Sequence, residues 1–242
     1  MSHQPLARRA GAEALGTGLL VVVVVGSGIA AQRLSPTDVG LQLLENSTAT
    51  ALGLAVLILL LAPVSGAHLN PAITLVLAVL DHETPANGRR TEVLAYVGAQ
   101  LVGGLGGAVL ANLMFELPAV QVSTADRASA GHLLGEVVAT AGLVLVVLGL
   151  LRTGREQLAA PTVAAYIGAA YWFTSSTSFA NPAVTAGRVL TDTFAGIAPT
   201  SAAAFVLAQL AGASVGAALA VGLFPALRLQ PSATITSENA PR

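Results

Sequence analysis

The tripeptide Asn-Pro-Ala occurs twice in the chain, as Asn70-Pro71-Ala72 and as Asn181-Pro182-Ala183. Asparagine is a preferred N-cap because its side-chain oxygen accepts a free backbone N–H, and proline is favoured at the first helical position. Each motif therefore predicts a helix start, with helices over 70–80 and 181–192. At about 1.5 Å per residue these helices reach roughly half of a ~30 Å hydrocarbon core, so they can enter a membrane without crossing it.

Two such half-helices that enter from opposite sides would meet with their N-termini at the middle of the membrane. Both positive dipole ends then point at the centre and disfavour cations. Each capping asparagine uses its oxygen on its own helix and leaves its NH₂ group to donate into the lumen. These donors favour neutral hydroxylated solutes, and a water chain must reorient around them, which hinders proton hopping. A lone Asn-Pro starts turns and helices in many proteins, so the meaning depends on the surrounding elements.

The composition is that of a membrane protein. Of 242 residues, 54% are hydrophobic and 10% are charged, whereas soluble domains carry roughly 25% charged residues. Long apolar runs without alternation argue against a transmembrane β-barrel. The sequence predicts an all-α membrane protein with one channel domain over 1–242. Its six spanning stretches are about 12–31, 46–64, 93–115, 131–151, 158–177 and 201–224.

The two halves of the chain repeat each other. Glu13-x-x-Gly16-Thr17 in the first span matches Glu136-x-x-Ala139-Thr140 in the fourth, and Ala99-Gln100-x-x-Gly103 in the third matches Ala208-Gln209-x-x-Gly212 in the sixth. Repeat 1 covers about 10–116 and repeat 2 about 131–225. Each half crosses three times, so the repeats are inverted, an arrangement that places a functional site near the midplane.

Glu13 and Glu136 occupy matched positions within spans, where an ionisable group is costly and usually functional. We expect both carboxylates to support the structure by accepting hydrogen bonds from the irregular backbone that leads into each Asn-Pro-Ala motif. The alternatives are a proton relay and, for Glu13, a merely solvated position near the inner interface.

Arginine placement predicts that both termini are cytoplasmic, because cytoplasmic loops carry the excess of basic residues. The protein is then a multi-pass protein of the cell membrane, and 229–242 is a short cytoplasmic tail. A cleaved signal peptide that begins at Arg8-Arg9 is the alternative for the N-terminus. The net charge of −1 gives no indication of a nucleic-acid partner. The arginines assigned to the cytoplasmic side are Arg8, Arg9, Arg89, Arg90, Arg152, Arg155, Arg228 and Arg242, against Arg33, Arg127 and Arg188 outside.

The paired motifs, with Ala12-Glu13-x-x-Gly16-Thr17 and Ser65-Gly66-Ala67-His68-Leu69 before the first of them, resemble the aquaporin (major intrinsic protein) family over about 10–225. The resemblance implies six tilted helices plus two re-entrant half-helices, one pore per subunit and a homotetramer. No cofactor and no metal are expected from the sequence. It also implies that His68 lines the cytoplasmic side of the pore; a solvated loop histidine is the alternative.

The chain departs from the family at the selectivity filter. Most aquaporins have arginine directly after the second motif, where this sequence has Val184. Family spacing assigns the other filter positions to Thr50, Ala169 and Ser178. Four small or medium side chains without charge or aromatic ring predict a wide, weakly polar constriction. Arg188, one turn beyond Val184, is either a displaced cation of the outer mouth or the partner of Asp192 in an i,i+4 pair.

The sequence therefore predicts a passive channel for small uncharged solutes, namely water and polyols such as glycerol. The segment 181–197 also resembles a bacterial aquaporin subgroup associated with arsenic resistance, which adds neutral arsenous acid to the expected solutes. A water-selective aquaporin and an ion-coupled transporter are the alternatives. An enzyme is not expected, because His3, His68, His82 and His132 are scattered without metal-ligand or nucleophile–base spacing.

Overall fold

The structure is a computed structural model that describes residues 4–81 and 84–224; the predicted tail over 229–242 lies outside them, as do His3, His82, Arg228 and Arg242. The described residues form helices and connecting segments without a strand, which confirms the all-α prediction. A 3₁₀ turn, Glu156–Leu158, precedes α6. The helices are α1 (Leu6–Leu34), α2 (Val39–Ser65), α3 (Pro71–Leu80), α4 (Ala86–Met114), α5 (Ala130–Arg152), α6 (Ala159–Phe173), α7 (Pro182–Arg188) and α8 (Pro199–Leu223).

Five of these helices, α1, α2, α4, α5 and α8, are long and apolar enough to cross a membrane. The remaining predicted stretch, the fifth at about 158–177, is helical only as far as Phe173, and α6 has 15 residues. The backbone turns extended at Thr174 and continues without helix to the second motif. Membrane proteins tolerate such irregular backbone only where other protein elements surround it, and residues 178–180 are buried.

The first half-helix, α3, begins and ends as the sequence predicts, whereas the second is shorter than predicted. Helix α7 ends at Arg188 and not at Asp192. The carbonyls of Val189 and Leu190 accept hydrogen bonds from the backbone N–H groups of Ser123 and Gln121, at 2.9 and 3.0 Å. The extended segment 116–129 thus satisfies carbonyls at the helix C-terminus, and the chain turns away there.

The two halves have matching architecture. The most extensive helix contacts are those of α1 with α4 and of α5 with α8, which are equivalent pairs in the two repeats. Helix α1 begins on what we call the N-terminal face, and the segments 116–129 and 189–198 lie on the opposite face. Each half-helix begins in the interior and runs back towards the face from which its segment entered.

Glycine permits the close approach within these helix pairs. A Cβ atom at Gly103 of α4 would collide with the backbone carbonyl of Ala14 in α1, and one at Gly212 of α8 would collide with the carbonyl of Val137 in α5. Both neighbours are backbone atoms that cannot rotate away. Small residues at such positions let helices pack through van der Waals contact in a membrane.

We predict that Gly103→Ala destabilises the protein, because overpacking a close contact costs about 1–3 kcal/mol. Gly106→Ala on the same helix is the matched control, since a Cβ there meets no atom within 4 Å. Thermal unfolding in detergent should show a lower midpoint for Gly103→Ala and an unchanged or higher midpoint for Gly106→Ala. Equal midpoints would contradict the packing described.

Candidate pore and its re-entrant turns

Each Asn-Pro-Ala motif begins a half-helix in the way the sequence predicts. The Oδ1 atom of Asn70 accepts a hydrogen bond from Ala72 N at 2.9 Å. The Oδ1 atom of Asn181 accepts from Ala183 N at 3.0 Å and from Val184 N at 3.3 Å. Pro71 and Pro182 are the first residues of α3 and α7, where no N–H is needed.

The two capping asparagines also join the two motifs. Asn70 Nδ2 donates to the carbonyl of Ala180 at 2.8 Å, and Asn181 Nδ2 donates to the carbonyl of Leu69 at 2.7 Å. One N–H of each NH₂ group is therefore used between the two halves, which the sequence did not predict. A side-chain amide has two N–H donors, so one holds the opposite half and the other is left for the lumen, which both asparagines line.

The backbone before each motif is strained at matched positions. Ala67 and Leu69, three and one residues before Asn70, have φ of 49°. Ser178 and Ala180, at the same offsets before Asn181, have φ of 49° and 47°. A left-handed conformation costs a residue with a Cβ roughly 1–2 kcal/mol. Strain of this kind persists only where the surrounding structure determines it strongly.

In the first half, that surrounding structure is the carboxylate of Glu13, which is fully buried. Its oxygens accept hydrogen bonds from the backbone N–H groups of His68 at 3.0 Å and Leu69 at 2.6 Å. They also accept from the Ser65 hydroxyl at 2.6 Å and from Gln100 Nε2 at 2.7 Å. The carboxylate thus binds the turn on one side and helix α4 on the other.

Glu136 occupies the same place in the second half and is also fully buried. It accepts hydrogen bonds from Phe179 N at 2.8 Å, Ala180 N at 2.9 Å and Gln209 Nε2 at 2.6 Å. Neither Glu136 nor Glu13 lines the cavity described next. Both therefore lie away from the solute path, in a position to brace the turns; the proton-relay alternative has no access to the lumen in this geometry.

A cavity of ≈ 790 Å³ runs inward from the N-terminal face. The ion pair of Arg9 and Glu92, with 2.7 Å between Nη1 and Oε1, lies in its lining near that face. His68 lines the next level, with Nδ1 3.1 Å from Thr74 Oγ1 and its ring edge-on to Tyr96. The paired asparagines follow, and the far end is lined by Thr50, Tyr171, Ser178, Phe179, Val184 and Arg188.

One filter residue assigned by family spacing does not reach the lumen. Ala169 is exposed on the outside of α6 and does not line the cavity, whereas Tyr171 does. Residues two positions apart on an α-helix point in directions about 200° apart. A two-residue error in spacing therefore moves a side chain from the lumen to the exterior. The Tyr171 and Thr50 hydroxyl oxygens are 3.2 Å apart. The phenol narrows a constriction that the sequence suggested to be free of aromatic rings.

Of the two alternatives for Arg188, the i,i+4 pair with Asp192 does not form. Asp192 accepts instead from the backbone N–H of Thr124 at 2.9 Å, and this hydrogen bond lowers the pKa of the Asp192 carboxyl. The Nε atom of Arg188 donates to the carbonyl of Ala195. Its side chain is buried and lines the cavity.

Sequence reasoning missed Tyr171 and Phe179 as lining residues and the ion pair of Arg9 with Glu92. A helical-wheel comparison of α6 with Thr50 of α2 could have found Tyr171. No sequence signal pointed to the ion pair, whose partners are 83 residues apart. No group of three or more potential metal ligands is found among the described residues.

Inverted membrane-spanning halves with two re-entrant helices, which meet at paired Asn-Pro-Ala motifs beside a cavity, define a channel of the aquaporin fold. Residues 1–179 match the family model described as major intrinsic protein, and the chain belongs to the major intrinsic protein family.

Similar proteins come from several organisms. Aquaglyceroporin AqpS of Rhizobium meliloti is 47% identical over 242 residues, which is 100% of this chain and 98% of that protein. A probable glycerol uptake facilitator of Thermotoga maritima is 30% identical over 61% of this chain and 65% of its own length. The X-ray structure of the aquaglyceroporin from Plasmodium falciparum shares the fold, with a TM-score of 0.67, 20% identity and coverage of 89% and 95%.

We predict that Val184→Arg reduces glycerol flux by roughly tenfold or more, since even one methylene changes discrimination about 10–200-fold in a closely fitting pocket. Water flux should fall much less. Val184→Leu is the control that adds bulk without charge. Stopped-flow light scattering of proteoliposomes measures both fluxes, and an equal loss of water and glycerol flux would show that residue 184 does not face the constriction.

Proposed function

We propose that this protein is a passive, non-enzymatic channel for small uncharged hydroxylated solutes. Its substrates are polyols such as glycerol, water, and neutral metalloid acids such as arsenous acid. The observation that carries the proposal is the cavity that passes the paired asparagines and ends at the hydroxyls of Thr50 and Tyr171, the apolar side chain of Val184 and the guanidinium of Arg188.

The constriction has two kinds of wall. Thr50 and Tyr171 present hydroxyl groups, which both donate and accept hydrogen bonds, and Val184 presents an apolar surface. Ser178 also lines the cavity, with its hydroxyl oxygen buried. A polyol has a polar edge of hydroxyls and an apolar edge of C–H groups, so it can satisfy both walls at once. Arsenous acid is a small neutral molecule with three hydroxyls and offers the same donors and acceptors.

The relatives support the solute class. The full-length relative from Rhizobium meliloti is named an aquaglyceroporin, and the Thermotoga maritima relative is named a probable glycerol uptake facilitator. The proposal that arsenous acid is a substrate rests on the chemistry of the constriction and on the resemblance to the arsenic-associated subgroup.

We infer that the N-terminal face is cytoplasmic and that the protein lies in the cell membrane. Arg8, Arg9, Arg89, Arg152 and Arg155 belong to that face, and positively charged residues accumulate on the cytoplasmic side. A homotetramer with one pore per subunit is the assembly proposed.

A water-selective channel is the second candidate, because the contact between Tyr171 and Thr50 narrows the constriction. An ion-coupled transporter is disfavoured. It would require an ionisable pair exposed at the midplane, whereas the described residues there are the two asparagines and apolar groups, and the carboxylates of Glu13 and Glu136 are already hydrogen-bonded.

We predict that proteoliposomes containing the protein conduct glycerol faster than protein-free vesicles. The flux should not saturate with concentration and should not depend on a proton gradient. Shrinkage and reswelling by light scattering measure water and glycerol in the same vesicles, and arsenic uptake measures arsenous acid. Water flux alone would support the water-selective candidate, and saturable flux that requires a proton gradient would support a transporter.

A further inference from the structure

Arg188 is a buried cation at the far end of the cavity. It is the last residue of α7, its side chain is 2% exposed, and it lines the lumen. No carboxylate lies within ion-pair distance of it, since the one ion pair among the described residues joins Arg9 and Glu92. A buried charge without a paired opposite charge is costly, which suggests that its position serves a purpose.

The guanidinium of Arg188 is held from two directions. Its Nε atom donates to the Ala195 carbonyl, and its Cζ atom lies 3.3 Å from the centre of the Phe179 ring. This stacking fixes the plane of the guanidinium and adds a cation–π attraction.

Phe179 is itself held in place. Its backbone N–H donates to Glu136, and its ring packs edge-on to Phe205 with 5.1 Å between centres. Arg127 lies near the same ring, with its Cζ 5.6 Å from the centre, but it does not line the cavity.

This arrangement leaves the terminal amino groups of Arg188 available. Across residues 4–81 and 84–224, no hydrogen-bond acceptor is recorded for Nη1 or Nη2, whereas the Arg127 guanidinium is used on the carbonyls of Phe194 and Gly196. The guanidinium fork is suited to two neighbouring oxygen atoms. Its fixed positive charge repels cations that approach through a low-dielectric passage.

We propose that Arg188, stacked on Phe179, forms a binding site for adjacent hydroxyl oxygens at the far end of the pore and excludes cations there. The site lies one helical turn beyond Val184 and uses an aromatic residue outside the ring predicted from the sequence. The two parts of the filter then have different roles. Solute size is limited by Thr50, Tyr171, Ser178 and Val184. Arg188 excludes cations and orients vicinal diols. The inference rests on the proposed function where it concerns polyols.

The test uses full-length protein in vesicles and planar bilayers. Arg188→Gln removes the charge, and Arg188→Lys keeps the charge but loses the planar fork. Arg127→Gln is the matched control, because it removes a guanidinium from the same aromatic ring and from the same backbone segment without altering the lining. Water flux in each preparation shows that the channel is folded and open.

We expect Arg188→Gln to raise sodium and guanidinium conductance, relative to water flux in the same preparation, by roughly tenfold or more, the scale expected when a unit charge several ångströms from the path is removed. Its preference for glycerol over urea, which lacks adjacent hydroxyls, should fall. Arg188→Lys should keep cations out but lose the glycerol preference, and Arg127→Gln should change neither property.

Cation conductance and glycerol preference that stay at wild-type values in a water-conducting Arg188→Gln channel would overturn the proposal. If Arg188→Gln does not accumulate in the membrane, the Arg188→Lys channel tests the proposal instead. An unchanged preference of that channel for glycerol over urea overturns the proposed site, and a reduced preference supports it. Failure of the proposed function is distinguishable, because a wild-type protein that conducts water but no polyol would refute polyol transport while leaving the cation measurement informative.

Discussion

The hydrogen bonds between two buried carboxylates and two re-entrant turns are the interactions on which the rest of this structure depends. Glu13 and Glu136 each accept two backbone N–H groups from the residues directly before an Asn-Pro-Ala motif. The turns contain left-handed residues with side chains, which are unfavourable in isolation. Hydrogen bonds to a charged acceptor are stronger than neutral ones, each contributing about 1.5–3 kcal/mol, so the two sets together can offset the strain.

From these turns the geometry of the pore follows step by step. The braced backbone directs the carbonyls of Leu69 and Ala180 at the opposite asparagine, and the two asparagines cap the half-helices and join the halves. Gln100 and Gln209 connect the carboxylates to Thr74 and Thr185 on the half-helices themselves. One carboxylate in each half thus fixes both the start of its half-helix and the distance to the other. The midplane is a rigid, cross-connected unit rather than two independent loops.

Much of this could be predicted from the sequence because it depends on local rules and on repetition. The N-caps at Asn70 and Asn181 follow from residue preference, and the inverted halves follow from matched motifs. The early end of α7 could not be predicted, because it depends on pairing with the distant segment 116–129. The assignment of Ala169 to the filter was wrong because the family spacing was counted across the irregular segment 174–180. The direction of a helical side chain changes by about 100° per residue, so a small error in that count changes which residue of α6 faces the lumen. The burial of Arg188 against Phe179 also depends on tertiary contacts.

The central claim is tested most directly by replacing each buried carboxylate with its neutral amide, in Glu13→Gln and Glu136→Gln, and measuring thermal unfolding together with glycerol and water flux. The amide keeps the size but loses the charge and replaces one acceptor oxygen with a donor, leaving buried backbone N–H groups unsatisfied at about 1–3 kcal/mol each. Glu116→Gln, at an exposed carboxylate, is the control. The account predicts lower unfolding midpoints and loss of both fluxes for the two buried sites and no change for the control. Wild-type stability and flux in Glu13→Gln and Glu136→Gln would contradict it.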